Sequence, residues 1–268
     1  MEQLTYYQAI VIAIVEGLTE FLPISSTAHM KFTHPLLGVH ASPFSDMFEV
    51  VIQLAAIVAV VVIYYKKFFN FSKFNFFIKL FIALIPSILV GLFLKSYIDS
   101  VLDNLTFIAV VMVVGGILLL FIEHFFTHPT VDSEEEISNK SAFLIGCGQV
   151  LAVLFPGLSR SAATILSGMS LKLTRSAAAE FSFFLAVPTM AAASIKSFWD
   201  TWQDHPEVLR MENLSILTTG SVVAFVVALL AIKFFISFVK KYGFRVWGYY
   251  RIIIGLVMLA LIWSKTIA

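Results

Sequence analysis

Six stretches of this chain stay apolar over the length that a bilayer demands, and they run over residues 47–65, 77–94, 105–122, 178–198, 215–239 and 246–263. A membrane-crossing helix needs about 20 mostly apolar residues, so each stretch is predicted to be a transmembrane helix. Two further apolar stretches fail the test. Residues 4–37 are broken by Glu16, Glu20 and Pro23 and then by Ser25-Ser26-Thr27; residues 142–173 are broken by Pro156-Gly157 and by Ser159-Arg160-Ser161. Each reads as two short helices meeting at a polar turn. Backbone broken in this way is tolerated at membrane depth only where it is buried in protein or lines a water-filled cavity, which predicts two re-entrant hairpins.

The pattern then repeats. Residues 1–127 hold the hairpin 4–37 and three spans, and residues 141–268 hold the hairpin 142–173 and three spans. Pro23-Ile-Ser25-Ser26 matches Pro156-Gly-Leu-Ser159-Arg160-Ser161, and Glu49 with Leu54-Ala55 matches Glu180 with Leu185-Ala186 at the same spacing. Three spans are an odd number, so the second repeat enters from the opposite side of the membrane. The fold class is therefore all-α: one polytopic membrane domain, six transmembrane helices plus two re-entrant helical hairpins, in an inverted-topology repeat. A binding site is expected where the broken segments meet.

Composition agrees with lipid as the solvent. Of 268 residues 59% are hydrophobic and 13% charged, against about 25% charged in a soluble domain. The mean hydropathy is +0.92. A net charge of +1 gives no sign of a nucleic-acid partner. The single cysteine, Cys147, excludes an internal disulfide framework and a cysteine-rich metal site, and reads as a small buried residue. The first apolar stretch carries Glu16 and Glu20 and follows no basic region, so a cleavable signal is not expected. The polar stretch from Thr127 to Lys140, with Asp132, Glu134, Glu135 and Glu136, reads as a solvated loop. No phosphate-binding GxxxxGK[ST] loop occurs.

Loop charge sets the orientation. Lys66, Lys67, Lys73 and Lys79 follow the first span, and Lys240, Lys241 and Arg245 precede the last. Both groups fall on one face, which the excess of lysine and arginine marks as cytoplasmic. The loops with Asp99 and Asp103 and with Asp200, Asp204, Glu207 and Glu212 fall outside, as do both termini.

Charges inside membrane segments carry the chemistry, because each costs about 2.5–3.5 kcal/mol to insert at mid-helix. Glu16 and Glu20 stand at i and i+4 on one helix face. Two carboxylates so close repel, which either raises a pKa or recruits a cation, and hard oxygen ligands suit Mg²⁺ or Ca²⁺. Ser25, Ser26 and Thr27 fall where a second short helix begins; they can cap it, and its free N–H groups can hold an anion. His29, one turn on, is placed to exchange a proton with Ser26. Ser159, Ser161 and Thr164 offer hydroxyls at the second tip, and Arg160 between them grips phosphate with a planar fork. If the tips meet, they form a diphosphate-plus-cation site. Gln53, Glu49, Glu180 and Gln149 are candidates to brace it, with Gln53 the nearest of them to substrate; Arg251, near the start of the last span, is expected to snorkel to the interface.

The run Glu16-Gly-Leu-Thr-Glu20-Phe-Leu-Pro-Ile-Ser-Ser-Thr with His29, and Pro156-Gly-Leu-Ser-Arg160-Ser with Thr164, resemble the undecaprenyl-diphosphatase family, also called bacitracin-resistance proteins. The stretches around Glu49–Gln53 and Phe181–Pro188 are similar too, so the resemblance covers essentially the whole chain. It implies a multi-pass enzyme of the bacterial plasma membrane that converts undecaprenyl diphosphate, a polyprenyl lipid, to undecaprenyl phosphate and inorganic phosphate at the outer face. That reaction recycles the lipid carrier of cell-wall synthesis. The resemblance also implies dependence on a divalent cation and tolerance of bacitracin. The family's acidic motif maps onto Glu16 and Glu20, its hydroxyls onto Ser25, Ser26 and Thr27, its histidine onto His29 and its arginine onto Arg160. Ala28, Ala55 and Ala162 stand where glycine is usual, which adds methyl groups near tight packing and removes no reacting group. On this reading Ser26 attacks the terminal phosphorus or orients a water that does, with His29 as base and then acid. A polyprenyl phosphate flippase using the same site is the alternative, and homodimer formation is left open.

Overall fold

The computed structural model describes residues 4–70, 74–126, 128–208 and 210–267. Lys73 and Thr127 of the loops named above lie outside the described residues, as do the side chains of Asp99 and Glu207. The chain opens with two short helices, α1 (Tyr6–Thr19) and α2 (Ser26–Leu36). Thr5 starts α1 with a reciprocal cap: its hydroxyl accepts the Gln8 N–H, and the Gln8 side chain accepts the Thr5 N–H at 2.8 Å. Helix α3 (Pro43–Ile63) begins at a similar Ser42–Ser45 cap with proline at its first position, where a missing N–H costs nothing. Then come α4 (Tyr65–Phe68), α5 (Phe74–Phe93), α6 (Lys95–Leu102) and α7 (Leu105–Phe125). The second half has the same order: short α8 (Asn139–Leu154) and α9 (Arg160–Ser170), then long α10 (Arg175–Asp204), α11 (Met211–Tyr242) and α12 (Arg245–Trp263). Among the described residues there is no β-strand, only an isolated bridge between Val131 and Leu173.

Helices α3, α5, α7, α10, α11 and α12 are long and apolar enough to cross a membrane, and they coincide with the six predicted spans. The protein is a multi-pass membrane protein. The short turns α4 and α6 and a 3₁₀ turn at Pro206–Val208 were not anticipated.

The two halves interlock. Helix α1 packs on α11 of the other half, and α8 packs on α5. Lipid tails are as apolar as leucine, so these contacts depend on close approach and not on exclusion of water. Small residues supply it: a Cβ on Gly17 would lie 2.7 Å from the Ala224 carbonyl oxygen, and one on Gly146 would lie 2.1 Å from that of Ala83. An aromatic cluster fills the middle, where Phe184 takes the ring edges of Tyr64, Phe68 and Phe76 at 4.9, 5.8 and 5.3 Å.

The two short pairs open toward opposite ends of the bundle. At one end Gln8 donates to the Leu37 carbonyl, Lys31 lies 3.9 Å from Asp103, and His34 lies 3.1 Å from Glu49. At the other end Thr130 donates to the Lys172 carbonyl, and Arg245 meets His124 at 3.1 Å.

The loop between the halves corrects one expectation. It is docked and not merely solvated: Glu134 is buried, Lys67 reaches its carboxylate at 2.5 Å, and the buried Lys79 donates to the carbonyls of Glu134 and Glu135 at 3.0 and 2.8 Å. Basic and acidic loops lie at the same end of the bundle, so opposite charges pair instead of facing water. Cys147 is half-buried, more open than expected.

Candidate active site

Each short pair turns on a serine. After Glu20 caps the end of α1 with its N–H on the Glu16 carbonyl, the chain turns through Leu22, Pro23 and Ile24, and Ser25 starts α2 at φ 71°. After α8 the chain turns through Pro156 and Gly157, and Ser159 starts α9 at φ 76°. In both, the serine hydroxyl accepts the N–H three residues on at 3.3 Å. A left-handed conformation in a residue with a side chain costs about 1–3 kcal/mol and persists only where its surroundings fix it. Here it aims two helix N-termini, with their unsatisfied N–H groups, from the two turns. Gly157 (φ 99°) lies so close to α7 that a Cβ would be 2.4 Å from the Ile108 carbonyl oxygen.

The turns meet. Ser161 donates across the gap to the Leu22 carbonyl at 2.8 Å. Ser26 and Arg160 occupy the first helical position after their respective serines, and both hold Glu20. The Ser26 hydroxyl donates to Oε2 at 2.5 Å, and Arg160 Nη2 donates to Oε1 at 3.0 Å. Glu20 is 6% exposed and the Arg160 side chain 14%. Arg160 Nη1 also donates to the Ser182 carbonyl at 2.8 Å, while its Nε is buried without a partner. Glu16 lies against Glu20 and Gln53, with Glu49 further out, and its Oε1 is buried without a partner. One orphaned cationic donor and one orphaned carboxylate oxygen therefore remain at the junction.

That donor set bears on the predicted cation. Among the described residues no group of three or more His, Cys, Asp or Glu side chains converges, so a cage built from protein alone is absent. A pair of carboxylates with a free oxygen fits a Mg²⁺-like ion that draws its other ligands from water and substrate phosphate. Glu16 fits better than Glu20, whose two oxygens already accept from Ser26 and Arg160.

Several expected roles change. His29 does not meet Ser26: its Nδ1 lies 2.8 Å from the Ser25 carbonyl, and its Nε2 lies 2.8 Å from the Tyr250 hydroxyl. A carbonyl only accepts, so Nδ1 carries the proton and Nε2 accepts from Tyr250 in the neutral ring. The side chain folds back on the start of its own helix, which leaves Ser26 to Glu20. Ser161 and Thr164, expected at the substrate, are committed within the protein: Ser161 to Leu22, and Thr164 to the Arg160 carbonyl at 2.9 Å and the Ser182 hydroxyl at 2.7 Å. Ser25 and Ser159 act as caps, and the Ser159 hydroxyl also lies 2.9 Å from that of Ser161. Thr27 is exposed beside Ser26. Gln149 braces the second half by donating to Ser87 at 2.8 Å. Glu49 pairs with His34, and Glu180 lies 3.9 Å from Lys67.

Arg251 overturns its expectation outright. It is 0% exposed and donates to the carbonyls of Pro23, Gly157, Leu158 and Met112 at 2.7–3.2 Å. It cannot snorkel because α12 packs along α7 and turns this face inward. The sequence reading missed Tyr250 and Arg251 as parts of the site. The available signal was the cost of an arginine within a span, which applies to Arg251 as fully as to Arg160.

A cavity of about 450 Å³ opens at the end of the bundle where α2 finishes, lined by Lys31, His34, Asp46, Glu49 and Asp103 among others. Glu49, on its lining, is near enough to Glu16 to act on it electrostatically.

The chain is similar to known proteins over nearly its whole length. The family model described as bacitracin resistance protein BacA matches residues 9–257. A protein of Flavobacterium psychrophilum named undecaprenyl-diphosphatase is 48% identical over 256 residues, which is 96% of this chain and 95% of the relative. One of the same name from Porphyromonas gingivalis is 44% identical over 277 aligned positions, covering 97% of this chain and 98% of the relative.

Proposed function

The chain belongs to the bacitracin resistance protein BacA family, and on that premise we propose that it hydrolyses undecaprenyl diphosphate to undecaprenyl phosphate and inorganic phosphate. The observation that carries the reading is the double use of Glu20. A hydroxyl from one helix N-terminus and a guanidinium from the other converge on one carboxylate, and an unpartnered Arg160 Nε and Glu16 Oε1 lie beside them. A hydroxyl bonded to a buried carboxylate is an activated nucleophile. A guanidinium with a free donor, next to two helix N-termini, is a receptor for phosphate.

In this scheme Arg160 and the helix N-termini take the terminal phosphate, with the prenyl chain left in lipid between helices. Glu20 accepts the Ser26 proton as Ser26 Oγ bonds to the terminal phosphorus and undecaprenyl phosphate departs; water then releases phosphate from the serine. The alternative, in which Ser26 orients the attacking water, uses the same bonds. Undecaprenyl phosphate leaves as the anion. His29, whose neutral ring leaves Nε2 free to accept, takes the proton of the attacking water once Nε2 releases the Tyr250 hydroxyl, and Glu20 returns its proton to Ser26 Oγ as the serine–phosphorus bond breaks. Glu16, with Glu20 behind it, holds the divalent cation, Mg²⁺ or Ca²⁺, which supplies neutralisation of phosphate charge. Ser25 and Ser159 shape the pocket as caps, Thr27 lines it, and Gln53 steadies Glu16.

The same reading puts the protein in the bacterial plasma membrane, with the site reached from the outer face through the cavity at Glu49, since the lysine-rich loops lie at the opposite end. It treats the two short pairs as re-entrant hairpins and the halves, residues 1–127 and 141–268, as inverted repeats. The exchanged packing of α1 on α11 and α8 on α5 supports this. Recycling of the carrier would confer bacitracin tolerance.

The test is phosphate release from a polyprenyl diphosphate by purified protein in detergent, where no two sides exist to transport between. Cation-dependent release is expected. Binding of the lipid without release by folded protein would refute hydrolysis and leave a carrier.

A further inference from the structure

The reaction scheme leaves one buried charge without a task. Arg251 lies near the start of α12 with no exposure, and among the described residues no carboxylate pairs with it. All its bonds go to main-chain carbonyls. Nη1 donates to Pro23 at 3.0 Å and to Leu158 at 2.7 Å, Nη2 to Gly157 at 2.8 Å, and Nε to Met112 at 3.2 Å. Pro23 belongs to the first turn, Gly157 and Leu158 to the second, and Met112 to α7. One rigid planar fork thus ties both turns to one helix.

The fork also has a fitted recess. A Cβ on Gly115 would lie 2.2 Å from Arg251 Nη2 and 3.0 Å from Cζ, so a glycine in α7 leaves the space that the guanidinium fills. Burying an unpaired cation costs several kcal/mol, and a neutral donor could satisfy the carbonyls of one turn more cheaply. What glutamine or lysine cannot do is span both turns in one plane.

We propose that Arg251 is a positioning residue of the phosphatase: it sets the separation of the two turns so that Ser26 and Arg160 can hold Glu20 at once. The inference rests on the reading of the site given above. Ser26 is three residues beyond Pro23 and Arg160 two beyond Leu158, so a shift of either turn carries straight to a reacting group. With the fork released, Glu20 keeps one of its two partners and loses the other. The charge lies behind two helix N-termini and adds to the field that an anionic headgroup meets, but lysine would preserve that part.

The experiment uses the full chain in detergent with Mg²⁺ and compares Arg251→Lys, Arg251→Ala and Gly115→Ala with wild type. Arg251→Lys and Gly115→Ala should lower kcat by about 100-fold, the cost of roughly an ångström of misplacement, while KM moves less than about threefold. Added guanidinium ion should raise kcat of Arg251→Ala at least tenfold and leave wild type unchanged. A second readout does not depend on activity. In a Cys147→Ser background, spin labels at positions 27 and 155, one just after the first turn on α2 and one just before the second at the end of α8, should give one narrow distance that broadens in Arg251→Lys. Wild-type kcat in all three variants, or a loss that guanidinium does not reverse and that follows the unfolded fraction, overturns the proposal. So does a distance distribution that the substitution leaves unchanged. A wild type that releases no phosphate overturns the phosphatase reading instead, and the label distances still decide whether Arg251 holds the turns.

Discussion

Replacing Glu20 by glutamine isolates the group on which the two halves converge. The carboxylate accepts from Ser26 with one oxygen and from Arg160 with the other. A glutamine amide has the same shape but cannot take the Ser26 proton, and its nitrogen must face a donor whichever way it turns. Loss of a general base lowers turnover by about 10²- to 10⁴-fold, or roughly 3–5 kcal/mol of activation free energy. The folded state loses as well. Breaking a buried ion pair costs about 3–5 kcal/mol, and the lower end applies because Arg160 keeps the Ser182 carbonyl and is 14% exposed. The assay is phosphate release, with thermal unfolding followed in the same detergent. A Glu20→Gln enzyme within about tenfold of wild-type kcat would refute the Ser26–Glu20 pair, because a base contributes at least 10².

Glu16→Gln should weaken the apparent affinity for Mg²⁺ by about 10- to 100-fold while excess cation restores much of the rate, as read from cation titrations of phosphate release. An unaltered titration would remove Glu16 as the ligand. Tyr250→Phe deletes the 2.8 Å bond to His29 and should lower stability by about 0.5–1.5 kcal/mol, measured by thermal unfolding. Gly17→Ala and Gly146→Ala put methyl groups within 2.7 and 2.1 Å of facing carbonyl oxygens. Each should destabilise by about 1–3 kcal/mol, with the larger loss at Gly146, in denaturant or heat melts in detergent.

The spans were legible because a bilayer imposes length and apolarity together, and α3, α5, α7, α10, α11 and α12 satisfy both. The turns were legible because Pro23 and Pro156, followed by hydroxyl runs, cannot continue a helix. Their left-handed serine caps left no trace beyond the residue type. Spacing brought Ser26 and His29 within a turn of one another but could not say that the imidazole folds back on Ser25. That choice depends on Tyr250, 221 positions away. Arg251 was read by its distance from the end of a span, whereas its burial follows from α7–α12 packing, where Gly115 and Gly116 let the helices close. Glu134 was judged by its neighbours in sequence, but its environment is set by Lys67. In each case the missed contact is long-range, and local pattern does not say which partner makes it, even where, as for Arg251, the cost of the charge says that a partner is needed.

The central claim is that hydrolysis occurs where the two turns meet, and phosphate release by Ser26→Ala, Glu20→Ala and Arg160→Ala in one detergent preparation tests it most directly. The account predicts that all three lose about 100-fold or more of the wild-type rate while still binding the polyprenyl lipid. Near-normal release from Arg160→Ala and Glu20→Ala, with the protein folded, would contradict it and send the search for the site elsewhere in the molecule.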